Sequence, residues 1–175
     1  VAGSSGTGKT EVCRRLAGTV AGVIPLEADI LWRAEFNTPD DNYRAFGETW
    51  LRMAKNIAQS GRPVVLFGAG LGMPENLEPC VERRYVGAIH RLALTASDEA
   101  LRARLQARPA WRGCTEAFIT DQIAFNRWYQ TTGPTLTPPI DLLDTTPQSI
   151  DETVAAVRRW IAAKLDTSPT PHSSS

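Results

Sequence analysis

The segment Gly3-Ser4-Ser5-Gly6-Thr7-Gly8-Lys9-Thr10 fits the pattern G-x-x-x-x-G-K-[ST] at every position, and it constrains the chain more than any other feature. Gly3, Gly6 and Gly8 permit backbone turns and close approaches that a side chain would block, so successive N–H groups can converge on phosphate oxygens. Lys9 adds a point charge at the β- and γ-phosphates. Thr10 offers a hydroxyl to magnesium, and the helix predicted to follow aims its N-terminus at the anion. Ser4, Ser5 and Thr7 complete the predicted cradle. The ligand these terms imply is a nucleoside triphosphate, ATP with Mg2+.

Such a loop needs a strand before it and a helix after it. The helix is predicted from Lys9 to Val20. The sequence starts at Val1, so the first strand is expected to be truncated. Gly22-Val23-Ile24-Pro25-Leu26 reads as a short buried strand with Glu27 and Asp29 at its exit. Residues 36–42 read as a loop around Pro39. Phe46, Trp50, Met53, Ala54 and Ile57 recur at helical spacing within a helix predicted over 43–60. Pro63-Val64-Val65-Leu66-Phe67 is a continuous apolar run suited to a covered parallel strand, and Gly68-Ala69-Gly70-Leu71-Gly72 reads as an open loop. A strand is predicted over 85–94. Ser97 then caps a helix bearing Leu101 and Leu105, which Pro109 interrupts. A helix over 115–130, a strand over 140–144 and a terminal helix opened by the Ser149/Glu152 capping box complete the chain.

Strands alternating with helices predict an α/β fold, a three-layer α/β/α sandwich around a central parallel sheet of about five strands. Residues 1–165 are expected to form one domain, with 166–175 a disordered Ser/Thr/Pro tail. With 42% hydrophobic and 22% charged residues, the composition is that of an ordinary globular protein. Nineteen basic and nineteen acidic side chains cancel, leaving no field to attract nucleic acid or an anionic membrane. A small-molecule partner is expected, with no nucleic acid, no membrane, and a monomer or homodimer as the assembly. Three widely spaced cysteines, Cys13, Cys80 and Cys114, form no disulfide framework or zinc pattern. With no long apolar span or leader, a cytoplasmic location is expected.

Phosphate binding alone does not separate a kinase from a GTPase or a mechanical ATPase. No Asn-Lys-x-Asp guanine-reading segment occurs, and Phe67 is followed by Gly68-Ala69-Gly70 where a motor ATPase carries a carboxylate. With these residues the chain resembles the small P-loop kinases of metabolites, the group containing shikimate kinase, gluconate kinase and chloramphenicol phosphotransferase. The resemblance covers most of the chain and is specific at the glycine loop, the Walker A segment of the P-loop NTPase superfamily.

That resemblance implies the P-loop NTPase fold and transfer of the γ-phosphoryl group of MgATP to a hydroxyl of a small molecule. It implies Asp29 as the residue facing the acceptor hydroxyl, Gly68, Ala69 and Gly70 as the acceptor-pocket turn, and Arg44 as a substrate anchor. Gly47 departs from the pattern, standing where a glutamate is usual. Residues 104–116 are similar to the lid, with Arg108 and Arg112 as movable cations at the transferring phosphoryl group and Arg104 on the nucleotide. Leu143-Asp144-Thr145-Thr146 resembles the element packed by the adenine, making Thr145 and Thr146 nucleotide contacts.

Bland readings stand beside these. Asp29 is a general base or a helix cap, and Glu27 orders a magnesium water or is merely solvated. The lid arginines, Arg102 above all, could simply solvate a helix face. Trp32 and Phe36 follow Asp29 and suit an acceptor wall, whereas Phe46 and Trp50 fit the core. His90 is expected inside the core, Cys13 in packing, and His172 in the tail is set aside. Two alternatives to the metabolite kinase are a nucleoside or nucleoside-monophosphate kinase and a regulatory ATPase that transfers nothing.

Overall fold

A computed structural model describes residues 1–166. The tail from 167 onward, with His172, lies outside the described residues, and Asp166 ends the last helix. The helices are α1 (Lys9–Leu16), α2 (Arg44–Ala58), α3 (Pro74–Leu77), α4 (Asp98–Gln106), α5 (Glu116–Thr131) and α6 (Ile150–Asp166). The strands are β1 (Ile24–Glu27), β2 (Val64–Phe67), β3 (Leu92–Thr95) and β4 (Asp141–Asp144).

The expected sandwich around a five-stranded sheet does not form. Among the described residues the strands make two separate two-stranded parallel sheets, β1 with β2 and β3 with β4. Their registers run from Ile24 opposite Val64 to Glu27 opposite Phe67, and from Leu92 opposite Asp141 to Thr95 opposite Asp144. Between the sheets run only Val1 and Ala2. The Val1 ammonium donates to the Leu66 carbonyl at 2.7 Å, and Ala2 N–H donates to the Leu92 carbonyl at 2.7 Å. Two residues and the isolated Ala2–Ala93 bridge are too few for a ladder. An apolar cavity of about 660 Å³ lies beyond them, lined by Val64, Val65, Leu66 and Leu92 among others.

The strand predicted over 85–94 is also corrected. Only Leu92–Thr95 finds a partner; Val81–Tyr85 is a 3-10 turn and 86–91 joins no ladder. His90 is accordingly exposed instead of buried. The first helix stops at Leu16 because Gly18, at φ 73°, takes the chain into a left-handed turn. The capping box is present, with Ser149 N–H donating to Glu152 at 2.7 Å.

Apolar faces set the packing. Val12 and Leu16 of α1 join Val157 and Ile161 of α6 against Phe67 and Leu94. Trp50, wholly buried on α2, packs with Phe46, Leu71 and Leu77. Leu101 and Leu105 of α4 meet Ile119 and Ile123 of α5. These helices hold the ends of β1, β2 and β3 close to the glycine loop. No helix among the described residues is long and apolar enough to cross a membrane.

Candidate functional site

The glycine loop is shaped by backbone that only glycine adopts readily. Gly3, Gly6 and Gly8 have φ of 133°, 93° and 93°. A Cβ on Gly3 would stand 2.3 Å from the Leu94 carbonyl oxygen, and one on Gly6 would meet Leu101 Cδ1 at 2.8 Å. The loop thus lies directly on β3 and α4. Ser4 and Thr7 are buried, and the Thr7 hydroxyl donates to the Ser4 carbonyl at 2.9 Å.

Lys9 turns its ammonium back into the loop, donating to the carbonyls of Gly3 at 2.7 Å and Ser4 at 2.8 Å. Burial pushes its pKa down to about 8; the Asp29 carboxylate opposes that shift, the Arg108 guanidinium adds to it, and Glu27 opposes it. Asp29, Arg108 and Glu27 are thus the charged groups that act on the Lys9 ammonium. Asp29 lies in the 3-10 turn Ala28–Leu31 directly after β1. Desolvation raises its pKa, against the pull of Lys9 and with repulsion from Glu27. Thr10, in the first turn of α1, donates its hydroxyl to Glu27 at the end of β1. Among the described residues no group of three or more His, Cys, Asp or Glu side chains forms a cage. Thr10 and Glu27, joined by their hydrogen bond, and Asp29 two residues beyond Glu27 carry hard oxygen donors of the kind that suit a magnesium ion.

On the other side of the loop, Gly6, Thr7, Gly8, Arg104, Thr145 and Gln148 line a cleft of about 210 Å³. Arg104 donates to the Thr145 hydroxyl at 2.9 Å and carbonyl at 2.8 Å. Thr146 is committed elsewhere, accepting from the Ser97 N–H at 2.6 Å and donating its own N–H to Asp144 at 2.8 Å.

The Gly68-Ala69-Gly70 turn is tied down where an open loop was expected. A Cβ on Gly68 would meet Ala28 Cβ at 2.8 Å, so the turn packs against the residue before Asp29. The Tyr129 hydroxyl holds the Ala69 carbonyl at 2.6 Å, and Asn76 Nδ2 holds the Gly70 carbonyl at 2.8 Å. Trp32 is 45% exposed, lies edge-on to Phe46 at 5.1 Å and is tilted against Tyr43 at 6.0 Å.

Two predicted residues are not brought into this group. Arg44 opens α2 and turns to the Pro79 carbonyl at 3.4 Å. Arg112 lies in the exposed turn Ala110–Arg112, stacked 4.7 Å over the Trp111 ring. Arg102 behaves as a surface residue, paired with Glu116 at 2.6 Å. Gly47 has a packing cause, since a Cβ there would stand 2.6 Å from the Asn76 carbonyl oxygen.

Sequence reasoning missed Gln122, Asn126 and Tyr129 of α5, which reach the Ser5 N–H, Ala96 and the Ala69 carbonyl. Their i, i+4, i+7 spacing put them on one helix face, but two of the three are polar, so an apolar periodicity passes over them. A scan against protein-family models finds no match to this chain, and no curated protein matches it.

Proposed function

We propose that the protein is an ATP-dependent phosphotransferase that moves the γ-phosphoryl group of MgATP to a hydroxyl of a small molecule. The observation that carries this reading is the glycine loop itself, whose positive-φ glycines and inward-turned Lys9 make a phosphate cradle, with Thr10 bonded to Glu27 at the strand end that leads into Asp29. A carboxylate with a raised pKa beside that lysine adds a proton acceptor, and a lid-side arginine adds charge where transfer builds it.

In this reading the loop N–H groups and Lys9 hold the β- and γ-phosphates. The acceptor oxygen forms the new bond to phosphorus, its proton passes to Asp29, and the bond from phosphorus to the ADP oxygen breaks. Lys9 and Arg108 offset the negative charge spread over the transferring group. Thr10 and Glu27 would hold magnesium, which would neutralise charge on the phosphate oxygens. Arg104 and Thr145 border the nucleoside side of the loop, and Trp32 with the 68–70 turn borders the acceptor side.

The test is MgATP binding by calorimetry followed by a screen of hydroxyl compounds for acceptor-dependent ADP release. Lys9→Ala is expected to weaken binding by at least about a hundredfold, the loss of roughly 3 kcal/mol of charge-assisted bonding. Wild-type affinity in that variant, or ADP release that no acceptor accelerates, sinks the reading.

A further inference from the structure

The Ser4–Ser5 peptide is gripped from both sides. Its carbonyl accepts from Lys9 Nζ at 2.8 Å, and its N–H donates to Gln122 Oε1 at 2.7 Å. A trans peptide is planar with its N–H and C=O on opposite sides, so rotating it away from one partner also withdraws it from the other. Lys9 and Gln122 are therefore coupled through one rigid unit.

Gln122 reaches the loop from a fixed platform. On the same face of α5, Asn126 donates to the Ala96 carbonyl at 2.7 Å and accepts from its N–H at 3.2 Å, and Tyr129 holds the Ala69 carbonyl at 2.6 Å. Asn126 and Tyr129 are fully buried, so this helix cannot turn without breaking bonds inside the core. Accepting from Ser5 also fixes the amide's orientation, because only Oε1 can take that role.

We infer that Gln122 is a positioning residue for phosphate binding, fixing the peptide on which Lys9 rests so that loop and ammonium are set before the triphosphate arrives. The inference rests on the phosphotransferase reading above. Its benefit is preorganisation: a loop already held in its binding shape loses less freedom when ligand enters. Because the action is on the loop, ATP and ADP gain alike.

The test compares Gln122→Ala and Gln122→Glu with wild type in two measurements. The first is hydrogen exchange at the Ser5 amide without ligand; the second is the affinity for MgATP and MgADP. Gln122→Ala is expected to expose the Ser5 amide while α5 amides stay protected, and to weaken both nucleotides about tenfold with kcat at saturation little changed. Glutamate still accepts from the Ser5 N–H, so Gln122→Glu restores the protection, while its added negative charge beside the phosphates keeps affinity below wild type. Unchanged affinity in Gln122→Ala overturns the inference alone, as does weakened affinity in Gln122→Ala with the Ser5 amide still fully protected. Wild type that binds no ATP overturns the phosphotransferase reading and this inference together.

Discussion

Arg104, in the last turn of α4, donates to both the hydroxyl and the carbonyl of Thr145 at the end of β4, at 2.9 Å and 2.8 Å. The Thr145 hydroxyl in turn donates to the Thr95 carbonyl at 2.9 Å. The ends of β3, β4 and α4 are thereby locked beside the glycine loop.

Replacing Arg104 with alanine is expected to weaken MgATP binding about tenfold, the loss of one charge-assisted bond of ~1.5 kcal/mol at the cleft wall. Lysine should not rescue it, because a single ammonium cannot reproduce two bonds from a planar fork. Titration calorimetry on both variants checks this. Full recovery with lysine would show that charge alone matters.

Gly47 makes a second prediction, about stability. In a helix interior alanine is favoured over glycine by roughly 1 kcal/mol. Here the added Cβ would meet the Asn76 carbonyl oxygen at 2.6 Å and Cys80 Sγ at 3.0 Å. Since the first of these is backbone, the clash should win, and Gly47→Ala should destabilise by about 1–2 kcal/mol net. Urea unfolding measures it, and a gain in stability would mean that α3 yields freely.

The shape of the glycine loop was legible because it encodes its own geometry. Three glycines at positive φ and one lysine in fixed spacing need no long-range information. Asp29 was legible for a similar reason, as a carboxylate leaving a strand. Arg44 and Arg112 were not, since an arginine's long side chain goes where a partner lies, here to the Pro79 carbonyl and the Trp111 ring. The sheet was misread because hydrophobic runs declare strands but not whether a neighbour completes the ladder. Val64–Phe67 and Leu92–Thr95 are both strands, yet Val1 and Ala2 alone connect them.

Glu78 gives a pH dependence of stability. Burial raises its pKa, but hydrogen bonds from Arg91 and Arg83 outweigh this and hold the carboxyl below its ordinary value. A depressed folded pKa means stability that is present above the unfolded value near 4.3 and is lost as pH falls through the folded one. Arg91 is only 3% exposed, so Glu78→Gln leaves a buried guanidinium without its counter-ion. About 1–2 kcal/mol is expected at pH 7, less than for a fully buried pair because Glu78 itself is 41% exposed. The gap between variant and wild type should close as pH falls below the unfolded value and through the depressed folded one in acid-titrated urea unfolding. A gap that is constant with pH would assign the effect to packing.

The last prediction concerns how Asp29 and Lys9 divide the pH profile of phosphoryl transfer. Asp29 must be ionised to take the acceptor proton, and desolvation raises its pKa. The acid limb of kcat/KM should therefore lie above the ordinary carboxylate range. Lys9 must be protonated to hold the phosphates, and burial brings its pKa down to about 8, so the alkaline limb should fall near 8. Asp29→Asn is expected to remove the acid limb and lower kcat about a hundredfold or more. It should leave MgATP affinity equal or tighter, because a negative charge beside the triphosphate is gone. Lys9→Arg, ionised at every accessible pH, should remove the alkaline limb while Asp29→Asn leaves it in place. If both variants keep the wild-type profile, the two limbs belong to other groups, and Asp29 takes no proton.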